Sequence, residues 1–261
     1  AQGHNQWGLH HGLGRIMGWG DEVLALGRAE REFMRTGRPV AIIGLDGQRR
    51  ANLLWDGNPA VDPGADATIT DGPNARPYIE RWEGSRIILN MKHRPRAGRV
   101  MLTQEERYWA DFYLPDDLLE RGFAVVSPHI KGNASINKSW GAGRWTEAIK
   151  DFPLPVLQLG PSPIDIIPGA QYFETPTMRH AAAVIALAKI VLTNEGGSHH
   201  LAASMGTRAV VVFGGFMHPK VTGYPQHSNL IGDPMHVGCG KYEPCPACRN
   251  SLDKITPAMV K

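Results

Sequence analysis

The sequence predicts an α/β fold in two Rossmann-like halves, the N-terminal one reduced. Residues 191–215, VLTNEGGSHHLAASMGTRAVVVFGG, read as strand, glycine turn, helix and strand in unbroken succession. Short apolar runs of strand length recur before and after this stretch, with amphipathic helical stretches between them. With 261 residues, 42% of them hydrophobic, the chain can bury one large core or two modest ones.

Residues 1–17 are rich in Gly and His and lack the apolar strand that usually opens a nucleotide-binding domain. Gly18, Gly20 and Asp21 then form a glycine turn, after which Val23, Leu26, Ala29 and Phe33 recur at helical spacing until Gly37. Asp21 thus stands at a helix start. An N-cap is the common use of aspartate there, and a cleft-facing carboxylate is the sharper reading. Residues 39–44 read as a strand, 51–57 as a weaker one, 67–70 as a short one and 86–91 as a firmer one, separated by loops of Gly, Pro, Asp and Asn. The basic run KHRPRAGR at 92–99 is either a solvated loop or a segment that binds an acceptor or a phosphate. An amphipathic helix from residue 103, stopped by Pro115, closes an N-terminal unit at 1–117.

The second unit, 118–261, opens with a strand that runs to Pro128 and enters a loop carrying Lys138. A helix over 144–152 follows, then a strand over 155–160 whose terminal Gly160 sits where a base or ribose would pack. Thr175 as N-cap and Pro176 at the first helical position start the helix that leads to the central stretch. There Ile190, Val191 and Leu192 form a strand, and Glu195-Gly196-Gly197 turns, the paired glycines supplying positive φ. Ser198 stands at the N-cap position, Leu201, Ala202 and Met205 share one face, Gly206 ends the helix, and residues 210–213 form a strand buried on both faces. The helix points its amino end at the turn. Gly196 to His200 therefore form an anion cradle of unpaired N–H groups at the positive end of the helix dipole, with His199 and His200 in the first turn.

A net charge of +3 suits an anionic small molecule and is too mild to argue nucleic-acid binding by itself. The longest apolar run, 181–188, falls far short of the roughly 18 residues of a membrane span, and no leader pattern opens the sequence, so a cytoplasmic protein is expected. The three cysteines belong to a cluster, His236-x2-Cys239-x5-Cys245-x2-Cys248, whose ligand types and spacing fit tetrahedral structural zinc. Reduced thiols without metal are the other reading.

The central stretch resembles the signature Asp-Ser-Gly-x-x-His-Leu-Ala-Ala of glycosyltransferase family 9, the family of the lipopolysaccharide heptosyltransferases. Glu195, Gly196, Gly197, Ser198, His199, His200, Leu201, Ala202 and Ala203 occupy it, with Phe213-Gly214 after the following strand. Glu195 replaces Asp and Gly196 replaces Ser. Gly18, Gly20 and Asp21 match the family's Gly-x-Gly-Asp turn, and Asn137-Lys138-x-Trp140 is similar to its Lys-x-Trp element; Gly215-Phe216 replaces a Pro-Thr pair.

The resemblance implies a GT-B fold, two Rossmann-like domains facing a cleft, with 1–117 on the acceptor side and 118–261 binding the donor. It implies inverting, metal-independent transfer of a sugar such as heptose from a nucleotide-diphosphate sugar, ADP-linked by preference. The acceptor would be a glycan or lipopolysaccharide, with a DNA acceptor left open. Asp21 would be the general base, ionised at neutral pH and needing only placement. Lys138 and the amides of Gly196 to His200 would receive the diphosphate charge, His200 adding a hydrogen bond. Gly20, Pro128, Gly160, Ser198 and His199 complete the donor site, and Glu195 is expected on donor hydroxyls or the turn's own amides. No catalytic cofactor is implied. Two other readings remain: a nucleotide-sugar epimerase or hydrolase of the same fold, and a non-catalytic nucleotide-sugar-binding module.

Overall fold

The computed structural model of the chain describes residues 18–44, 46–70, 76–132 and 134–261. The reading made on residues 1–17 lies outside the described residues. Helix α1 (Trp19–Thr36) comes first and ends at Gly37 in the left-handed region, φ 71°. Strand β1 (Ala41–Ile43) pairs in parallel with β2 (Thr68–Thr70), and β3 (Ile79–Glu83) forms an antiparallel hairpin with β4 (Arg86–Leu89). Helices α2 (Gln104–Tyr113) and α3 (Asp116–Arg121) follow. The described part of the N-terminal unit thus holds two separate two-stranded sheets rather than the expected Rossmann-like sheet. Its first helix packs on the other half of the chain instead.

That other half is a six-stranded parallel sheet. It comprises β5 (Ala124–Ser127), helix α4 (Ala142–Ile149), β6 (Val156–Gly160), β7 (Gln171–Glu174), α5 (Met178–Leu187), β8 (Ile190–Asn194), α6 (Gly197–Met205), β9 (Ala209–Val212), the short α7 (Pro219–Thr222) and β10 (Ser228–Leu230). Helix α8 (Pro246–Asp253) lies in the tail. Strand order is β10-β9-β8-β5-β6-β7, every neighbour parallel. The alternation of side chains along each strand divides the apolar residues between two cores. Val125, Leu157, Val191 and Val211 join α1, α5 and α6 in one, while Ala124, Val126, Leu192 and Val212 meet Trp140, Trp145 and Leu252 in the other. Val23, Leu26 and Ala29 of α1 belong to the first core, so both halves of the chain share it.

Three local expectations need correction. Residues 53–55 form a 3-10 turn, not a strand, because the Asn52 side chain accepts the Leu54 N–H at 2.9 Å and the buried Trp55 indole donates to the Glu22 carbonyl at 3.0 Å. Helix α5 starts later than expected. Thr177, not Thr175, is its cap, its hydroxyl accepting the N–H groups of Arg179 and His180, because the residue before Pro176 is steered to extended backbone. The cap of α6 is Gly196, not Ser198, whose hydroxyl instead bonds the Ser127 hydroxyl at 2.7 Å. Gly196 is extended (φ 166°) and supplies no left-handed turn. The closer fit is one residue on, at Gly197, where a Cβ would lie 3.2 Å from Trp19.

Candidate functional site

A cleft of about 360 Å³ opens where β5 and β8 end, between the α1 start and the α6 start. From β5 the chain builds the sheet outward through β6 and β7, then returns to place β8 on its other side. The carboxyl ends of β5 and β8 therefore border the crevice at which doubly wound sheets bind ligands. Gly18, Gly20, Asp21, Arg76 and Tyr78 line one wall, and Lys138, Glu195, Gly196, Gly197, Ser198 and His200 the other.

The α6 start is held by a chain of imidazoles. His199 Nδ1 accepts the Gly196 N–H at 3.0 Å, so its Nε2 carries the proton and donates to the Thr222 carbonyl at 2.9 Å. The bond accepted at Nδ1 requires neutral imidazole, and burial pushes His199 down to about 4, Glu195 opposing. His227 repeats the pattern, accepting the Ala209 N–H and donating to the His199 carbonyl. His200 Nδ1 lies 2.6 Å from the Tyr224 hydroxyl, and burial, then the His199 and Lys138 charges, hold its pKa well below the usual imidazole range. The cradle expected from Gly196 to His200 is thereby narrowed. The Gly196 amide is already taken, which leaves the first-turn amides from Gly197 onward, unpartnered within the helix, for an anion.

Lys138 stands beside that helix start. Its ammonium lies 2.5 Å from Glu195 Oε2 and 5.3 Å from the centre of the Phe216 ring. Glu195 thus reaches the lysine, not the turn's own amides. On the facing wall Asp21 is buried, 6% exposed, and accepts three hydrogen bonds: Tyr78 hydroxyl at 2.8 Å, Arg76 Nε at 3.2 Å and the Gly18 amide at 3.2 Å. The last closes a capping box, so the aspartate both caps α1 and faces the cleft. Burial, then the Asp21 charge, raises the Tyr78 hydroxyl well above its usual range, which keeps it a donor. Arg76 and Tyr78 carried no signal in the sequence, since they reach Asp21 across 55 and 57 positions.

Pro128 and Gly160 are not among the residues that line the cleft. The Pro128 carbonyl accepts from the Asn194 amide at 2.6 Å, and the Gly160 carbonyl accepts from the Tyr172 hydroxyl and the Thr175 N–H, so both are spent on the sheet ends.

His236, Cys239, Cys245 and Cys248 converge, with their ligand atoms all within 4.8 Å of one another. Cys239 and Cys245 sulfurs are 3.8 Å apart, and His236 Nε2 is 3.5 Å from the Cys248 sulfur. Tetrahedral zinc with bonds of about 2.3 Å to sulfur and about 2.0 Å to nitrogen sets edges close to these lengths, so the four residues fit that ion. A Cβ on Gly215 would lie 3.1 Å from the Cys248 sulfur and 2.9 Å from the His236 ring, which accounts for glycine at that position. The cluster is tied to the cleft: the Cys245 amide donates to Asn137 Oδ1 at 2.9 Å, next to Lys138.

No protein-family model matches the sequence, and no curated protein does. Solved structures do. A glycosyl transferase family 9 protein from Veillonella parvula superposes at TM-score 0.64 with 14% identity, over 94% of this chain and 92% of that one. TibC, an iron-containing dodecameric glycosyltransferase from enterotoxigenic E. coli, superposes at TM-score 0.63 with 16% identity, over 94% of this chain and 74% of that one. TibC is also solved in complex with ADP-D-beta-D-heptose. The ADP-heptose lipopolysaccharide heptosyltransferase II of E. coli matches 64% of this chain at 18% identity and TM-score 0.47, the match spanning 52% of its own length. The chain thus has the α/β, heptosyltransferase-like fold of the family 9 glycosyltransferases, with its cleft at the switch point of the parallel sheet.

Proposed function

We propose that the chain is a glycosyltransferase that moves a sugar from a nucleotide-diphosphate donor to a hydroxyl acceptor with inversion at the anomeric carbon. The observation that carries this is the opposition across one cleft of a hydrogen-bonded carboxylate, Asp21, and a wall of donors made by the α6 amides and by Lys138, which is ion-paired to Glu195. Asp21 takes the proton of the acceptor hydroxyl, whose oxygen attacks the anomeric carbon as the bond to the diphosphate oxygen breaks. Arg76 and Tyr78 aim the carboxylate. The charge left on the diphosphate passes to Lys138 and the first-turn amides of α6, which supply the stabilisation a divalent ion gives elsewhere. His200 completes that wall.

An ADP-linked heptose is the donor we favour, as in the TibC complex, and a glycan or lipopolysaccharide the acceptor. Residues 1–117 form the acceptor side and 118–261 the donor side of a GT-B-like arrangement in which, among the described residues, only the second half carries a full parallel sheet. No described helix is long and apolar enough to cross a membrane. A cytoplasmic setting belongs to the same proposal, supported by three cysteines gathered in one cluster of metal-ligand spacing rather than in disulfides. The His236, Cys239, Cys245 and Cys248 cluster would hold a structural zinc that braces the tail against the Asn137 loop and takes no part in the transfer.

The test is ADP release from ADP-heptose with and without a lipopolysaccharide-core acceptor. Release that depends on the acceptor, and that Asp21→Asn abolishes while ADP still binds, is the expected result. Release that ignores the acceptor makes the protein a donor hydrolase or epimerase and overturns the transfer reading. ADP binding with no release in either condition leaves a binding module only.

A further inference from the structure

Three imidazoles, His199, His200 and His227, gather at the start of α6, and two of them are saturated. His199 accepts the Gly196 N–H at Nδ1 and donates from Nε2 to the Thr222 carbonyl. His227 accepts the Ala209 N–H at Nδ1 and donates from Nε2 to the His199 carbonyl. His200 differs. Its Nδ1 meets the Tyr224 hydroxyl at 2.6 Å, while its Nε2 takes no hydrogen bond among the described residues. The residue is 4% exposed and lines the cleft. Gly20, another cleft residue, would bring a Cβ to 3.0 Å from that nitrogen, which puts the unfilled Nε2 at the cleft wall.

The direction of the Tyr224 bond decides which nitrogen carries the proton. Tyr224 is buried and is not among the residues that line the cleft, and burial raises its hydroxyl well above the usual phenol range, so it stays protonated. A buried hydroxyl hydrogen without an acceptor costs the desolvation of the group, and His200 Nδ1 is the acceptor that meets it. An imidazole that accepts at Nδ1 is protonated at Nε2. Burial, then the charges of His199, Lys138, His227 and His93, holds His200 well below the usual imidazole range, so the ring is neutral and offers the cleft one N–H. Packing keeps it turned that way. The ring lies over His199 with centroids 4.0 Å apart and meets the Tyr224 ring edge-on, at 5.4 Å and 90°. Tyr224 follows α7 and is itself held, its carbonyl accepting the His227 N–H at 3.1 Å and the Asn229 side-chain amide at 3.0 Å.

We propose that Tyr224 is a positioning residue for the cleft: by donating to His200 Nδ1 it locks the tautomer that presents an Nε2–H, and a diphosphate oxygen of the sugar donor accepts that hydrogen. The ligand named here rests on the transferase reading, whereas the tautomer lock stands without it. His200 thus acts as a neutral hydrogen-bond donor beside the α6 amides, and Tyr224 acts through it without touching the ligand.

Proton–nitrogen correlation spectra of protein isotope-labelled at the histidine ring nitrogens report which nitrogen is protonated, and the His200 signal is the one that His200→Gln removes. His200 should be protonated at Nε2 in the wild type and should gain an Nδ1-protonated population in Tyr224→Phe, which keeps the ring and deletes only the hydroxyl. By calorimetry, Tyr224→Phe should weaken ADP binding about three- to tenfold. His200→Gln supplies an amide N–H near the place of the Nε2–H and needs no tyrosine, so adding Tyr224→Phe to it should change ADP affinity by less than about twofold. A full loss repeated in that background makes Tyr224 a packing residue only and overturns the proposal. So does a wild-type His200 protonated at Nδ1, a tautomer that Tyr224→Phe leaves unchanged, or an ADP affinity that Tyr224→Phe does not move. A wild-type protein that does not bind ADP overturns the transferase reading and the ligand assigned here, and the His200 spectrum still decides the tautomer lock.

Discussion

Replacing Lys138 by Met should unfold the chain more readily because it strands Glu195. The two charges lie 2.5 Å apart, with Glu195 4% and Lys138 19% exposed. Removing one partner of a buried pair costs about 3–5 kcal/mol, since the other charge stays desolvated without compensation. Water reaches the lysine side of this pair, so the lower end applies, about 3 kcal/mol. For a chain of this size that is a fall in Tm of roughly 6–12 °C. Lys138→Met/Glu195→Gln removes both charges and should recover most of the loss, to within about 1 kcal/mol of wild type. Urea denaturation followed by circular dichroism gives the three free energies and closes the comparison. If Lys138→Met alone is as stable as the double variant, the pair carries no buried charge and the reasoning fails. The same series bears on function: Glu195→Gln frees Lys138 for a diphosphate and should tighten ADP binding, whereas Lys138→Met should weaken it.

Acid should destabilise the protein through His199. Its pKa falls from 6.5 to about 4 on folding, so between those values the unfolded chain binds more protons and stability drops as pH falls. The loss is about 2 kcal/mol by pH 5 and roughly 3 below pH 4, and His199→Gln should flatten the dependence of Tm on pH over this range. Gly20→Ala places a Cβ 2.4 Å from His200 Cδ2, and because that ring is pinned by Tyr224 it cannot yield cheaply. A cost of about 1–3 kcal/mol and weaker ADP binding are expected, while Gly132→Ala, where a Cβ meets nothing within 4 Å, should match wild type in both measurements. Purified protein should carry zinc by elemental analysis, and Cys248→Ser should lose it together with part of the ADP affinity, because the cluster anchors Asn137 beside Lys138.

The β8-α6-β9 unit was legible because three local signals agree there: strands with apolar runs, a glycine pair, and a helix ended by Gly206. Local signals also placed α1, α2 and β5. The β3-β4 hairpin was half missed, since Ile79–Glu83 alternates charge with bulk and lies largely exposed, a pattern that reads as loop until its partner is known. β7 was missed because its four residues, QYFE, are short and partly exposed at the sheet edge. At the site, sequence spacing could suggest Asp21, Lys138 and the α6 amides one by one. What orients them could not be read. Arg76 and Tyr78 meet Asp21 only through tertiary packing, and Lys138 meets Glu195 only because β5 and β8 are neighbours in the sheet. The paired glycines were read as a left-handed bend in the backbone, yet Gly196 is extended and Gly197 packs against Trp19.

The first helix meets the sixth in a close join: Gly20 leaves no room for a methyl group beside the His200 ring, and Gly197 little beside Trp19. The floor of the cleft is therefore a welded seam that cannot part without tearing open the shared core. Any widening that lets a bulky molecule in or out must be done away from it, at the rim, while the residues at the seam hold their spacing throughout.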